Sequence, residues 1–237
     1  MSQHHSGVAD AAVTAAVAGN LADIRSRMDR AAEAAGRRPG DVALVAVSKM
    51  QPPDRVAAAV AAGHRLFGEN RVQEAAMRWP GFRERLPDLR LHLIGPLQTN
   101  KVRDAVALFD MIETVDRPKL ARALAEEMAR TGRRLDCLIE VNTGEEAQKH
   151  GIVPRELPGF YRVAAEDCGL AVRGLMCIPP LDEAPAPHFA LLAELAADLG
   201  LPVLSMGMSA DFEAAIHQGA TLVRVGTAIF GERLPRS

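Results

Sequence analysis

Eight short runs rich in Val, Leu and Ile recur along the chain: "VALVAVSK", "HRLFGEN", "LRLHLIG", "MIETVD", "LDCLIEVNT", "AVRGLMCIP", "PVLSMGM" and "TLVRVGTAIFG". A strand that is apolar on both faces of its pleat has to be covered on both sides, the condition of a parallel sheet flanked by helices. The stretches between the runs meet that need. "PDRVAAAVAAG" and "RPKLARALAEEMARTG" carry apolar residues at i, i+3 and i+4 spacing, with Gly63 and Gly132 where a helix would stop. Eight such units in about 190 residues predict an α/β fold of the (β/α)8 or TIM-barrel type. An extra helix near residues 11–35 is expected to precede it. An open doubly wound sheet would want a glycine-rich turn after its first strand, and the turn here is Lys49-Met50-Gln51-Pro52.

No linker, low-complexity tract or charge block divides the 237 residues, so residues 1–10 are expected to form a flexible tail and 11–237 a single barrel domain. The proline-rich "IPPLDEAPAPHF", Ile178 to Phe189, is expected to be a long loop between the sixth strand and its helix. Only a few residues follow "AIFGER", so no second domain is expected after the eighth strand.

Charge and cysteine content narrow the partners. With 28 Lys+Arg against 30 Asp+Glu spread along the chain, no basic footprint points to nucleic acid or an anionic membrane. The N-terminus lacks a basic segment ahead of its apolar part, and no run of about 18 apolar residues occurs. A cytoplasmic monomer is the expectation. Cys137, Cys168 and Cys177 show neither CxxC nor zinc-ligand spacing and read as buried apolar side chains. The histidines form no ligand pair at helical or strand spacing beyond His4-His5, which argues against a metal enzyme.

In a barrel, chemistry collects where strands end. The first run ends on Lys49, one of only four lysines, the others being Lys101, Lys119 and Lys149. Burial at a strand tip disfavours the charged amine and favours the neutral nucleophile that attacks a carbonyl, whereas a solvated loop lysine does neither. The seventh and eighth strands, where barrels commonly hold phosphate, close on Ser209 and on Gly226-Thr227. Ser209 is placed to cap the helix of "ADFEAAI", and Gly226 would let backbone approach a phosphate oxygen. Asp211 and Glu213 would serve the same helix dipole with no ligand at all, so an ordinary capped helix fits as well. Arg224 shares a strand face with Gly226 and needs an acceptor, either a neighbouring carboxylate or a ring nitrogen. Asn70 and Asn142 close the second and fifth strands, where each could orient a ligand or cap a turn.

An amine for an aldehyde, an anion cradle and a cation for a ring nitrogen together describe pyridoxal 5'-phosphate. The motifs "AVSK", "FGENRVQEA", "HLIGPLQTNK", "VNTGEEAQKHG", "GLMCIPP", "LSMGMSADFEAAI" and "VRVGTAIFGER" also resemble the YggS/PROSC family, the pyridoxal phosphate homeostasis proteins, from Val42 to Arg233. The resemblance implies a barrel like the N-terminal domain of alanine racemase, fold type III among pyridoxal phosphate proteins. By it, Lys49 is the Schiff-base lysine, Ser209, Gly226 and Thr227 hold the phosphate, and Arg224 faces the ring nitrogen. Two departures stand out: Leu91 where an aromatic residue often precedes the histidine, and Met50-Gln51 where Thr-Lys is frequent.

An arginine at the ring nitrogen can only donate, so the nitrogen stays unprotonated and the ring is a poor electron sink. Racemisation would need a second acid or base, and the only tyrosine, Tyr161, falls in the predicted helix "ELPGFYRVAAED". The expected function is therefore a non-catalytic carrier that buffers or delivers pyridoxal phosphate to apo-enzymes, with effects on amino-acid metabolism implied by the resemblance. The rival is a racemase or lyase that uses Cys177 or His92 as the missing acid. A cofactor-free Schiff-base aldolase would keep its lysine on strand six or seven, and neither has one. Lys149 is a candidate for holding the cofactor in transit.

Overall fold

The computed structural model describes residues 11–232. All eight apolar runs form strands: β1 (Ala43–Val47), β2 (Leu66–Glu69), β3 (Arg90–Leu93), β4 (Met111–Val115), β5 (Asp136–Glu140), β6 (Ala171–Met176), β7 (Val203–Ser205) and β8 (Leu222–Val225). They pair in chain order, every pairing parallel, and β8 returns to β1 to close the barrel. The residues expected to form a tail, 1–10, lie outside the described residues, as do 233–237.

Helices cover the outside. They are α2 (Pro53–Ala61), α3 (Val72–Arg78), α4 (Pro80–Arg85), α5 (Val102–Leu108), α6 (Pro118–Thr131), α7 (Leu157–Tyr161), α8 (Pro185–Asp198), α9 (Phe212–His217) and α10 (Thr227–Phe230). Gly63 and Gly132 follow α2 and α6 at φ 83° and 69°, the left-handed conformation that ends a helix at no steric cost to glycine. The helix expected over "ELPGFYRVAAED" is α7, continued by a π-helical stretch over Arg162–Asp167.

The expected N-terminal helix is α1 (Ala11–Ala34), which lies across α2, α9 and α10 and so covers the seam where β8 meets β1. Leu21 and Ile24 of its inner face are 1% exposed, a depth at which truncation to Ala costs about 2–5 kcal/mol. Asn20 donates to the Ile229 carbonyl at 2.9 Å, and Arg27 pairs with Glu213 at 3.0 Å.

The core has two compartments. Most buried side chains lie between barrel and helices, while Val45, Leu138, Met176 and Leu222 pack with Leu66, Met111 and Val203 into a separate cluster. Those seven come one from each of seven strands, apart from the cluster that packs against the helices, so they are the barrel's own filling. Cys137 and Cys177 are buried as expected, whereas Cys168 is only half-buried. The proline-rich stretch corrects another expectation. Its loop ends at Ala184, and the remainder through Phe189 is the first turns of α8, because Pro185 and Pro187 fall where a helix start tolerates missing N–H groups. Among the described residues no helix is long and apolar enough to cross a membrane.

Candidate functional site

A cavity of about 270 Å3 opens at the C-terminal end of the barrel. Lys49, Asn70, Ser209, Arg224, Gly226 and Thr227 all line it. The register explains how distant residues meet: Ala46 of β1 pairs with Val225 of β8, so Lys49 and Gly226-Thr227 leave the barrel from neighbouring strands about 5 Å apart. Lys101, Lys119 and Lys149 are not part of this wall.

Lys49 sits at the second position of a β-turn closed by the Gln51 N–H on the Ser48 carbonyl at 3.1 Å. Alternation along the chain separates it from Ser48, whose hydroxyl turns away from the cavity to donate to Glu69 at 2.8 Å. The same alternation divides Glu69 from Asn70. Glu69 is fully buried outside the barrel under α3, while Asn70 faces the cavity.

Arg224 is 4% exposed and heads a buried chain across the barrel. Its Nη1 donates to Ser205 Oγ at 2.7 Å and its Nη2 to the Cys177 carbonyl at 2.8 Å. Ser205 donates its single O–H to Glu113 Oε2 at 2.5 Å, and His92 Nδ1 lies 2.7 Å from Glu113 Oε1. Burial pushes the Glu113 carboxyl up, but its bond from His92, the Arg224 charge and the Ser205 hydroxyl outweigh that and hold it below the usual carboxylate range. A carboxylate can only accept, so His92 Nδ1 carries a proton and the serine oxygen must receive from Arg224. Of the two acceptors expected for Arg224, the neighbouring carboxylate is not a direct hydrogen-bond partner. Its direct acceptors are a hydroxyl and a carbonyl, and the Glu113 carboxylate lies one hydroxyl further on.

Glu140, at the end of β5, is a second interior carboxyl. Burial, reinforced by Asp116 and opposed by Arg224, pushes it up to about 7, and its Oε2 is buried without a hydrogen-bond partner.

Ser209 does not cap the following helix. α9 starts three residues later with Asp211 at its N-cap position, and Asp211 accepts from the Met208 N–H, because the intervening turn brings a stronger acceptor to that amide. The Ser209 side chain is thereby left on the cavity wall. Glu213 points away to Arg27. At Gly226 a side chain would press within 3.2 Å of the Val47 carbonyl, so the bare backbone there also serves the closeness of β1 and β8.

Asn142 caps its own loop, accepting from the Glu146 N–H at 3.2 Å and donating to the Glu146 carbonyl at 2.9 Å. Lys149 is tied to Glu146 at 2.5 Å and to the Pro179 carbonyl at 3.3 Å, which joins the loops after β5 and β6. The two acids considered for a catalytic role are both off the cavity wall. Cys177 packs in the outer compartment, where burial pushes its thiol up to about 12, and His92 is bound to Glu113 beneath Ile94.

Gln51, Ile94, Ile178 and Met208 complete much of the wall. Sequence reasoning had not assigned them there. Ile94 could have been found by counting two residues on from His92 along the same face; Ile178 and Met208 come from loops whose paths carry no periodic signal.

The wall suits a phosphorylated pyridine aldehyde: an amine on one side, a serine, threonine and bare glycine on the other, and an arginine fixed by its own partners. Asn70 Oδ1 adds a buried acceptor in the same cavity with no partner in the chain, as a contact reserved for a ligand would leave it.

Comparison with known proteins gives the same family. The profile described as "Alanine racemase, N-terminal domain" matches residues 19–234. A Pseudomonas aeruginosa relative named pyridoxal phosphate homeostasis protein is 46% identical over 224 residues, covering 92% of this chain and 96% of that one. The Escherichia coli protein of that name is 39% identical, covering 92% and 97%. Among solved structures, PipY of Synechococcus elongatus with pyridoxal phosphate bound is 38% identical, with a TM-score of 0.75 over 91% of this chain and all of that one. An alanine racemase from Clostridium difficile, 14% identical with a TM-score of 0.71, shares the fold over 94% of this chain and 58% of its own. On its sequence, its closed barrel and these relatives, the chain belongs to the pyridoxal phosphate homeostasis proteins, a family built on the alanine racemase N-terminal domain.

Proposed function

We propose that this chain binds pyridoxal 5'-phosphate at the strand-end cavity and holds it for delivery to apo-enzymes, without robust turnover of its own. The convergence of Lys49, Arg224 and the Ser209, Gly226 and Thr227 backbone turns on one cavity carries the reading. When bound, pyridoxal phosphate supplies an aldehyde carbon that an amine attacks, the carbonyl oxygen leaving as water with two amine protons, and such a link is reversible. Lys49 is the amine this chain offers. Ser209, Gly226 and Thr227 take the phosphate, Arg224 donates to the ring nitrogen, and Asn70 supplies its free acceptor.

Support for a carrier over a racemase or lyase comes from the cavity wall. Lys49 is the only amine among the lining residues, which include no histidine, cysteine, tyrosine or carboxylate, while His92, Cys177 and Tyr161 all lie elsewhere. Because Arg224 spends two nitrogens on Ser205 and Cys177, it acts on the ring as a fixed donor and offers no acidic proton. The homeostasis naming of the relatives agrees with that division of labour.

Two assays together test the function. Protein loaded with pyridoxal phosphate should restore activity to an apo-enzyme that requires it, and should leave the α-hydrogen of single L-amino acids unexchanged in deuterated water. Exchange at rates of ordinary enzyme turnover would overturn the non-catalytic reading; failure to reactivate any apo-enzyme would overturn delivery.

A further inference from the structure

The turn that carries Lys49 is built against its own preference. Met50, the third residue of that turn, has φ 57°, a conformation that glycine adopts freely and a methionine only under constraint. The constraint is visible. Arg78, at the end of α3, donates from Nη1 to the Ser48 carbonyl at 2.7 Å and from Nη2 to the Gln51 carbonyl at 3.0 Å, gripping the turn at both ends. Arg78 Nη1 is itself 2.7 Å from Glu69 Oε1. That single oxygen also accepts the Ser48 hydroxyl at 2.8 Å and the Trp79 indole N–H at 3.0 Å. Glu69 is fully buried and its Arg78 partner largely so, which puts this pair among the interactions that are costly to leave half-made.

We propose that Arg78, oriented by Glu69, is the positioning residue that presents the Lys49 amine to the cavity. It touches neither cavity nor ligand; it acts only through the backbone of the turn. The inference rests on Lys49 being the residue that takes the aldehyde, and it adds a second requirement to that site, placed on a different strand and helix. A planar guanidinium suits the task because it spans two carbonyls and a carboxylate at once, which a lysine ammonium does not.

The test separates the amine from the rest of the site by ligand. Affinity is measured for pyridoxal 5'-phosphate, which has the aldehyde, and for pyridoxine 5'-phosphate, which has an alcohol instead, on wild type, Arg78→Met and Arg78→Lys. The rate of borohydride-trapped adduct at Lys49 is followed by peptide mass spectrometry. Emission of Trp79, the only tryptophan in the chain, reports whether the Glu69 end stays packed. Loss of the clamp should weaken the aldehyde ligand by about tenfold and slow trapping in step, with the alcohol ligand changed less than about twofold. Arg78→Lys, which keeps a cation beside Glu69, should retain the wild-type Trp79 emission yet still trap slowly. Equal weakening of both ligands, or unchanged trapping in a folded variant, would overturn the positioning role. Wild-type protein with no adduct at Lys49 would instead overturn the reading of Lys49, and this inference with it.

Discussion

Arg224 and Ser205, on neighbouring strands β8 and β7, are joined by a 2.7 Å hydrogen bond that the serine relays to Glu113 one residue further on. Since Glu113 is a carboxylate and accepts the serine's O–H, the serine oxygen has only lone pairs left for Arg224. The guanidinium at the cavity floor is thus aligned by a chain that never reaches the ligand. Replacing Ser205 with Ala removes an acceptor from a buried cation and a donor from a buried anion together. A loss of about 1–3 kcal/mol in urea unfolding is expected, and a midpoint within error of wild type would show that the chain carries no such weight.

The same directionality fixes the His92 ring. Its Nδ1 proton should be visible in nitrogen-15 NMR as a slowly exchanging resonance correlated with Glu113, and Glu113→Gln should abolish that signature. A ring protonated on Nε2 alone would contradict the assigned polarity.

Glu140 makes stability depend on pH in an unusual sense. Unfolded, this carboxyl titrates near its ordinary 4.5, and folded, near about 7, so the native state holds the proton more tightly. Its contribution is intact below about pH 4.5 and is lost as pH rises through about 7. Glu140→Gln cannot ionise. Its stability relative to wild type should therefore rise between about pH 5 and pH 8, by up to roughly 3 kcal/mol, as read by thermal melts across that range. A difference that stays flat with pH would mean the carboxyl is solvated in the native state.

Asn70 should show the opposite profile. Its buried Oδ1 has no partner within the chain, so Asn70→Ala should leave the melting temperature nearly unchanged while weakening pyridoxal phosphate several-fold, roughly the worth of one hydrogen bond. Stability lost without affinity would assign the side chain to the fold instead.

The barrel was legible because its signal is local: each apolar run needs cover on two faces, and each intervening stretch has helical spacing. Lys49, Arg224 and the ends of β7 and β8 were legible for a related reason, since a polar group closing an apolar run stands out. What escaped was non-local or hidden in a turn. Nothing in the spacing says that Ser205 and Glu113, 92 positions apart, face each other inside a closed barrel. Ser209 read as a helix cap because a serine before an amphipathic run usually is one, yet the helix starts later, with Asp211 at the N-cap position and its carboxylate turned back to the Met208 N–H. Glu69 and Asn70 read as one strand end, although successive residues of a strand face opposite ways. That alternation hid the clamp on one side and the cavity on the other.

The central claim is that Lys49 joins the cofactor across the cavity from its phosphate cradle. Protein incubated with pyridoxal 5'-phosphate, reduced with borohydride and digested should carry the pyridoxyl mass on the peptide containing Lys49, and Lys49→Ala should lose both that mass and the visible absorption band. An adduct found only at Lys101, Lys119 or Lys149, or a band that persists in the Lys49 variant, would contradict it.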